Sequence, residues 1–481
     1  MILSLSLALA VKAVNALTGP EITIYNQGFG LVKDLRELNL KEGEQQVAIE
    51  DVAQMIEASS VGISSVSAPG SFTVLEQNYQ YDLISTQAIL NKAVGGKITL
   101  NRVLPNGSKE RIVGTLVSSP TAVVSTGNGS QQTYNGLVLR TDDGRILLDP
   151  TGEIEVNSIP EGLISKPTLL WELRADKAGP NTIELSYLTQ GMSWTADYVM
   201  LLDGEGNRGD FKGWVNLSNQ SGATYKNAKL KLLAGEVQRA PTGRGGMAGG
   251  APREMMEKAA DGFKEEQFAD YHLYTLQRPT NIRNNENKQV SLLEAFKVPV
   301  TKRLIIDAMM NYRGYRPGEG EVGSGIMKPQ IRIEFKNDKK SNMGMPLPKG
   351  SVKVFQRDKS GALQMLGEDN IDHTPRDENV SLVVGRAFDV VAERKRTSFT
   401  WIDKDRNGNP HGIRETFVID IRNRKETGSE TVTVLERHWG QYKITQSSLP
   451  YKQLDSETVE FLVPVAATKS VKLEYTCETK W

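Results

Sequence analysis

Between Tyr187 and Arg239 the chain alternates apolar and polar residues with a period of two, broken only by turn residues, and that pattern admits a sheet and little else. Trp194, Ala196, Tyr198, Met200 and Leu202 fall on one side of the first run, and Thr195, Asp197 and Val199 on the other. Asp203-Gly204-Glu205-Gly206-Asn207 supplies a turn, after which Phe211, Gly213, Val215 and Leu217 resume the alternation as an antiparallel partner would. A second turn at Asn219-Gln220-Ser221-Gly222 leads to Leu230, Leu232 and Ala234. The stretch predicts a sandwich core in which Trp194, Tyr198 and Trp214 are structural, with Trp214 out of phase with Phe211.

The rest of the chain repeats the pattern in shorter pieces. Ile22 and Ile24, then Phe29 and Leu31, then Leu38, Leu40, Val47 and Ile49 mark early strands. Ser85 to Val94 predicts one short helix, with Ser85 as N-cap and Gly95-Gly96 as its stop. Five or six short strands follow, with a hairpin turn at Asp142-Asp143-Gly144, and predict a small SH3-like barrel with the helix plugging one end. Such barrels bind RNA or peptides in other proteins, but no face here interleaves aromatic and basic residues, so a structural role is expected. Residues 240–267 are rich in Gly, Ala, Pro and charge and predict a mobile excursion, with a transient helix at Arg253–Ala260. In the last third, alternation at Ile331, Ile333 and Phe335, at Phe417, Ile419 and Ile421, and at Val459, Phe461 and Val463 predicts an immunoglobulin- or fibronectin-like sandwich.

At 481 residues the chain exceeds a single core. The expected fold is all-β and mainly antiparallel, a multi-domain β-sandwich with an inserted barrel. Its expected parts are a signal peptide at 1–16, a discontinuous β domain at 17–82 and 161–310, the barrel at 83–160, and the C-terminal sandwich at 325–481. The signal peptide is read from the apolar run Ile2–Val11 and the small-residue site Val14-Asn15-Ala16, although no basic residue precedes the run. That run is too short to span a bilayer, so an exported protein of the periplasm, cell surface or medium is expected, and not a transmembrane one.

Charge narrows the partners. The 58 basic residues match the 58 acidic ones, so no global field draws nucleic acid or an anionic membrane, and a protein or an envelope component is the expected partner. A single cysteine, Cys477, excludes an intramolecular disulfide framework and falls in the apolar phase of the last strand. Four histidines, His272, His373, His411 and His438, show no zinc-ligand spacing.

No G-x-S-x-G elbow, H-E-x-x-H helix or phosphate loop occurs. Gly318, Gly320 and Gly323 match G-x-G-x-x-G, but no strand leads in and no helix leads out, and Glu319 and Glu321 oppose a phosphate, so dinucleotide binding is rejected and no cofactor is expected. His373 is the catalytic candidate, with Asp372 and Asp369 near it in sequence, because acidic neighbours can orient an imidazole as a base. The bland alternative is a loop histidine in a turn. Asp403, Asp405 and Asn407, with Gly408 next, resemble the start of a Ca²⁺ loop. The twelfth position is Arg414 and not an acid, so a solvated hairpin is expected, with Ca²⁺ binding as the alternative.

Four blocks in order carry a resemblance: GMSWTADYVM, GWVNLSNQSGATYKNAKLKLLAGEV, the run from MPLPKGSVKVFQRD to VVAERK, and the closing VKLEYTCET. Over roughly residues 170–481 the chain resembles the bacterial domain-of-unknown-function family 4139, the mucoidy-inhibitor-like proteins. The resemblance implies a β-rich envelope protein without an established activity, cofactor or catalytic residue. Longer members carry a helical coiled-coil insertion where this chain carries the short-strand region. Two function classes stay open: a non-catalytic envelope or secreted module that binds or scaffolds, and a hydrolase or carbohydrate-active enzyme with a site between β domains.

Overall fold

The computed structural model describes residues 11–12, 19–118, 121–126, 129–134, 136–239, 263–268, 271–310 and 322–481. These residues are overwhelmingly strand, as the alternation requires, and arrange as several mainly antiparallel sheets. They form two compact units that interleave in sequence, one from residues 1–193, 218–232 and 278–287 and the other from 194–217, 233–277 and 288–481. Of the expected signal peptide only Val11–Lys12 lies among the described residues, running parallel to Val47–Ala48. The expected helix at 253–260 and Gly318 and Gly320 of the rejected phosphate loop lie outside them.

In the first unit, strand Thr168–Ala175 lies between Gly43–Glu50 and Phe72–Gln80, burying Leu169, Trp171 and Leu173. Trp171 places its one polar atom usefully, donating Nε1 to Gln77 Oε1 at 2.9 Å. A second sheet pairs Phe29–Leu40 with Gly179–Gln190 along their full length. The one α-helix among the described residues, Thr86–Lys92, is capped as expected: the Ser85 hydroxyl accepts from the Ala88 amide at 3.1 Å.

The small barrel expected at 83–160 is an open five-stranded sheet. Its order is Ile146–Leu148, Val138–Thr141, Lys109–Ser118, Lys97–Val103 and Glu153–Val156. The two outer strands have three and four residues, too little length to tilt round and pair with each other as closure demands. Leu90 and Ala93 from the helix region pack on the sheet's core of Ile98, Leu100, Ile112, Leu116, Leu137 and Leu139, so the helix covers a face and plugs no barrel end.

The second unit contains the organising strand Met192–Leu202 beyond Ser193. Trp194 is buried edge-on to Tyr274 at 6.4 Å, and Tyr198 stacks on Phe211 at 5.2 Å while its hydroxyl donates to Pro348 O at 2.8 Å. Trp214 is half-buried, as its opposite phase predicts. Strand Gly350–Arg357 runs parallel to Ala196–Leu202, and a Cβ at Gly350 would lie 2.0 Å from Ala196 O, so only glycine allows that approach. The expected excursion at 240–267 is corrected at its end. Phe263–Phe268 is a strand paired with Tyr271–Leu276, held by buried Phe263 and by Glu265 against His272 at 2.7 Å.

The C-terminal sandwich positions the site. Its strands are β1 Thr301–Asp307, β2 Gly325–Met327, β3 Gln330–Lys336, β4 Asn379–Arg386, β5 Val390–Lys404, β6 Pro410–Asn423, β7 Glu430–Arg437, β8 Gln441–Ser447, β9 Tyr451–Gln453, β10 Thr458–Val465 and β11 Ser470–Lys480. One sheet has the order β4-β3-β1-β7-β10-β9, with β1 and β7 parallel; the other has the order β2-β5-β6-β11-β8. Between them lies a core that includes Val432, Val434, Phe461 and Val463 from the first sheet and Ala392, Phe417, Ile419, Ile421, Leu473 and Tyr475 from the second. The sheets differ in length. Strand β6 has 14 residues and β5 has 15, whereas β7 and β10 have 8 each. At about 3.3 Å per residue the second sheet therefore runs roughly 20 Å further. On β6 the shared core ends at Phe417, and residues 410–415 with the facing part of β5 form an overhang.

Candidate binding site

The residues singled out for catalysis each make contacts of their own, and the Asp372 charge also acts on His373. Asp369 Oδ2 accepts from the Val383 amide at 2.7 Å and Oδ1 from the Asn370 amide at 2.8 Å, so its carboxylate ties a strand to its neighbour. His373 Nδ1 accepts from the Lys349 amide at 3.2 Å in a loop stapled to Leu347 by a pair of backbone bonds through Thr374. Partial desolvation and the Lys349 charge lower its pKa below the usual imidazole value. Asp372 is 92% exposed in its side chain and has Lys349 Nζ at 3.7 Å.

Asp403, Asp405 and Asn407 sit where β5 turns into β6. Asp405 Oδ1 accepts from the amides of Asn407 and Asn409, both at 2.8 Å, and Gly408 takes a φ of +87° to close the turn. Asp403 points instead to Lys480 Nζ at 2.5 Å. The carboxylates thus serve the hairpin and its flank. Among the described residues no group of three or more His, Cys, Asp or Glu side chains is gathered as a metal would require, and no helix is long and apolar enough to cross a membrane.

What the fold does bring together lies on the overhang. Residues 413, 415, 417, 419 and 421 of β6 face inward, and register places Trp401 opposite Ile413 and Phe399 opposite Glu415 on β5. On the other side of β6, Thr479 of β11 stands opposite Ile413. Trp481 follows at the next inward position, and Trp439 comes from the loop between β7 and β8. Phe399 meets Trp401 at 5.1 Å between centroids, Trp401 meets Trp481 at 6.2 Å, and Trp481 meets Trp439 at 5.4 Å. Four rings therefore form a continuous ladder, and Trp401 and Trp481 remain 38% and 49% exposed.

At the root of the ladder charges are buried in pairs. Arg394 grips Glu436 with Nε at 3.0 and 3.2 Å and Nη2 at 2.7 Å, and the Tyr475 hydroxyl donates to Glu436 Oε2 at 2.5 Å. The Arg394 guanidinium also lies 4.0 Å over the Phe417 ring. Burial pushes the Glu436 pKa up, but the Arg394 charge and the hydrogen bonds outweigh it, and the carboxyl stays below its usual range. One step outward, Arg396 pairs with Glu415 at 2.9 Å and stacks 4.7 Å from the centre of Phe399. The crevice between these groups, lined also by His438, Trp439 and Thr479, holds only about 20 Å³. It is water-sized.

The first unit has a larger cleft, about 870 Å³, lined in part by Asp34, Arg36, Tyr187 and Tyr225. Its tyrosine rings are buried, and Arg36 Nε pairs with Asp34 Oδ2 at 2.6 Å and Lys166 with Asp51 at 2.8 Å. Its lining mixes these polar groups with apolar residues that include Pro20, Val52 and Leu83.

Compared with known proteins, the chain matches no family profile and no curated protein.

Proposed function

We propose that this chain is a non-catalytic cell-envelope or secreted β-sandwich protein that acts as a binding or scaffolding module through the overhang of its C-terminal sandwich. In this reading it is exported and belongs to the bacterial family its last three hundred residues resemble. The observation that carries the reading is the ladder Phe399–Trp401–Trp481–Trp439, in which Trp401 and Trp481 are exposed beyond Phe417, the last apolar core residue on that part of β6. Large aromatic side chains left at the surface in a contiguous group mark interaction sites. The neighbouring acids and bases support binding over turnover, because Arg394, Glu436, Arg396 and Glu415 are committed to one another.

Co-sedimentation with washed bacterial envelopes tests the reading. The wild type should pellet with the envelopes, the Trp401→Ala/Trp481→Ala double variant should stay in the supernatant, and Phe388→Ala should pellet like the wild type. Phe388 is the control because it is 82% exposed and belongs to no ring ladder. Equal pelleting of wild type and double variant, or none by the wild type, overturns the proposal.

A further inference from the structure

We infer that the cleft of the first unit is a binding site for a small organic monocarboxylate, whose head group is held by Arg36. The site is separate from the overhang and does not depend on the reading given for it. Val32, Asp34, Arg36 and Leu38 share one face of the strand Phe29–Leu40, because side chains two apart on a strand point the same way. Val32 and Leu38 are each 1% exposed, so the two charged residues between them stand in a phase that the strand otherwise gives to apolar packing. A charge in such a place needs a partner. Part of that need is met locally, since Arg36 Nε donates to Asp34 Oδ2 at 2.6 Å.

That bond uses one of the five N–H groups of the guanidinium. Among the described residues Nη1 and Nη2 meet no acceptor, and neither is sealed from solvent, although the side chain as a whole is only 14% exposed. Arg36 lines the cleft, so these amino ends are reachable from it. Asp34 is less available, because its Oδ1 is buried and its Oδ2 is taken by Arg36. A guanidinium fixed through Nε and open at its amino ends is a planar pair of donors, and a carboxylate matches it with two coplanar acceptor oxygens. The lining sets the charge and the size of the ligand. Arg36, Lys166 and Lys226 face Asp34 and Asp51, one cation in excess, which favours a monoanion over a phosphate dianion. Lys166 is held by Asp51 at 2.8 Å, whereas the Lys226 side chain meets no partner among the described residues. Pro20, Val52 and Leu83 offer apolar surface to the body of the molecule, and a volume of about 870 Å³ suits a small ligand. Burial raises the pKa of Tyr187 and of Tyr225, so both add neutral hydroxyls to the lining. A metal cation is a poorer fit, because each carboxylate of the cleft is already engaged by a basic group.

Calorimetry on the full-length protein tests this with phenylacetate and octanoate as monocarboxylate probes, phenylacetamide as an uncharged counterpart and phenyl phosphate as a dianion. At least one carboxylate should bind saturably with a Kd below about 10 mM, and phenylacetamide and phenyl phosphate should bind more weakly. Arg36→Lys keeps a positive charge beside Asp34 and loses the planar fork, so it should weaken carboxylate binding by about tenfold or more. The Trp401→Ala/Trp481→Ala variant of the overhang should bind the same probe like the wild type, which separates this site from the envelope-binding reading. Circular dichroism shows whether Arg36→Lys is folded. If it is not, Lys226→Gln, at an exposed position, decides in its place and should weaken binding by about threefold or more. Absence of saturable binding by both carboxylates, binding that the deciding variant retains, or loss of binding in the tryptophan variant overturns the inference. So does phenylacetamide or phenyl phosphate bound as tightly as the carboxylates, because the first removes the charge from the argument and the second removes the preference for a monoanion.

Discussion

The Tyr475 hydroxyl donates to Glu436 Oε2 at 2.5 Å, and both side chains are buried beneath the Arg394 guanidinium. The pair comes from β11 and β7, one from each sheet, so the contact ties the sandwich together by charge at the point where its shared apolar core gives way to the overhang.

That relationship predicts unequal costs. Glu436→Ala leaves the Arg394 cation buried without a counter-ion and should destabilise the protein by about 3–5 kcal/mol. Tyr475→Phe removes one charge-assisted hydrogen bond and keeps the ring stacked on Phe417 and Phe461, so it should cost about 1.5–3 kcal/mol. Urea unfolding of the two variants measures the order, and a costlier Tyr475→Phe contradicts it.

His438 should give the fold an acid-sensitive step. Desolvation lowers its pKa from 6.5 to about 4, so the folded protein holds it neutral while the unfolded chain protonates. A depressed folded pKa contributes stability that is complete above 6.5 and is lost as pH falls toward 4. Unfolding midpoints followed across that window should fall for the wild type, and less steeply for His438→Phe. Parallel profiles for the two proteins would remove His438 from the account.

Trp194 should prove structural through bulk alone. Its ring is buried against Tyr274 and its Nε1 has no hydrogen-bond partner among the described residues. Trp194→Ala should therefore cost about 3–5 kcal/mol and Trp194→Phe clearly less. Trp214→Ala, at a half-buried position, should fall below Trp194→Ala in the same denaturation series.

Cys477 is buried, and desolvation pushes its thiol up to about 12. A thiol-reactive dye should leave it unmodified in the native protein and label one site per chain after denaturation. Rapid native labelling would mean that β11 opens locally.

Much of this was readable in the residues. Period-two alternation located the strands and their buried faces at Trp194–Leu202, Phe417–Ile421 and Val459–Val463, because which face a side chain takes is decided within the strand itself. Hairpins at Asp142-Asp143-Gly144 and Asn407-Gly408 were equally local, and so was the Ser85 cap. Partner choice over long distance was not. Nothing near Ala196 names Gly350, 154 positions on, as its parallel neighbour, and no single strand reveals that β5 and β6 outrun the facing sheet. The ladder is not legible in the sequence for that reason. Phe399 and Trp401 read as flanks of a hairpin, while Trp439 and Trp481 are remote in sequence, and the site emerges only from the difference in strand length. A usable signal was present in Arg394 and Glu436, charged residues standing in the buried phase of apolar strands. Such residues mark a place where the core is about to end or to be used. Conversely, His373, Asp372 and Asp369 are neighbours in sequence, and adjacency in a β loop does not by itself gather side chains into a site.

The central claim is that the aromatic overhang is the surface this protein uses, and hydroxyl-radical footprinting of the envelope-bound protein, read by mass spectrometry, tests it most directly. Oxidation of Trp401, Trp439 and Trp481 should drop on binding while Phe388 and Leu462 stay as reactive as in the free protein. Unchanged oxidation of the three tryptophans, with protection appearing on another face, would contradict the account.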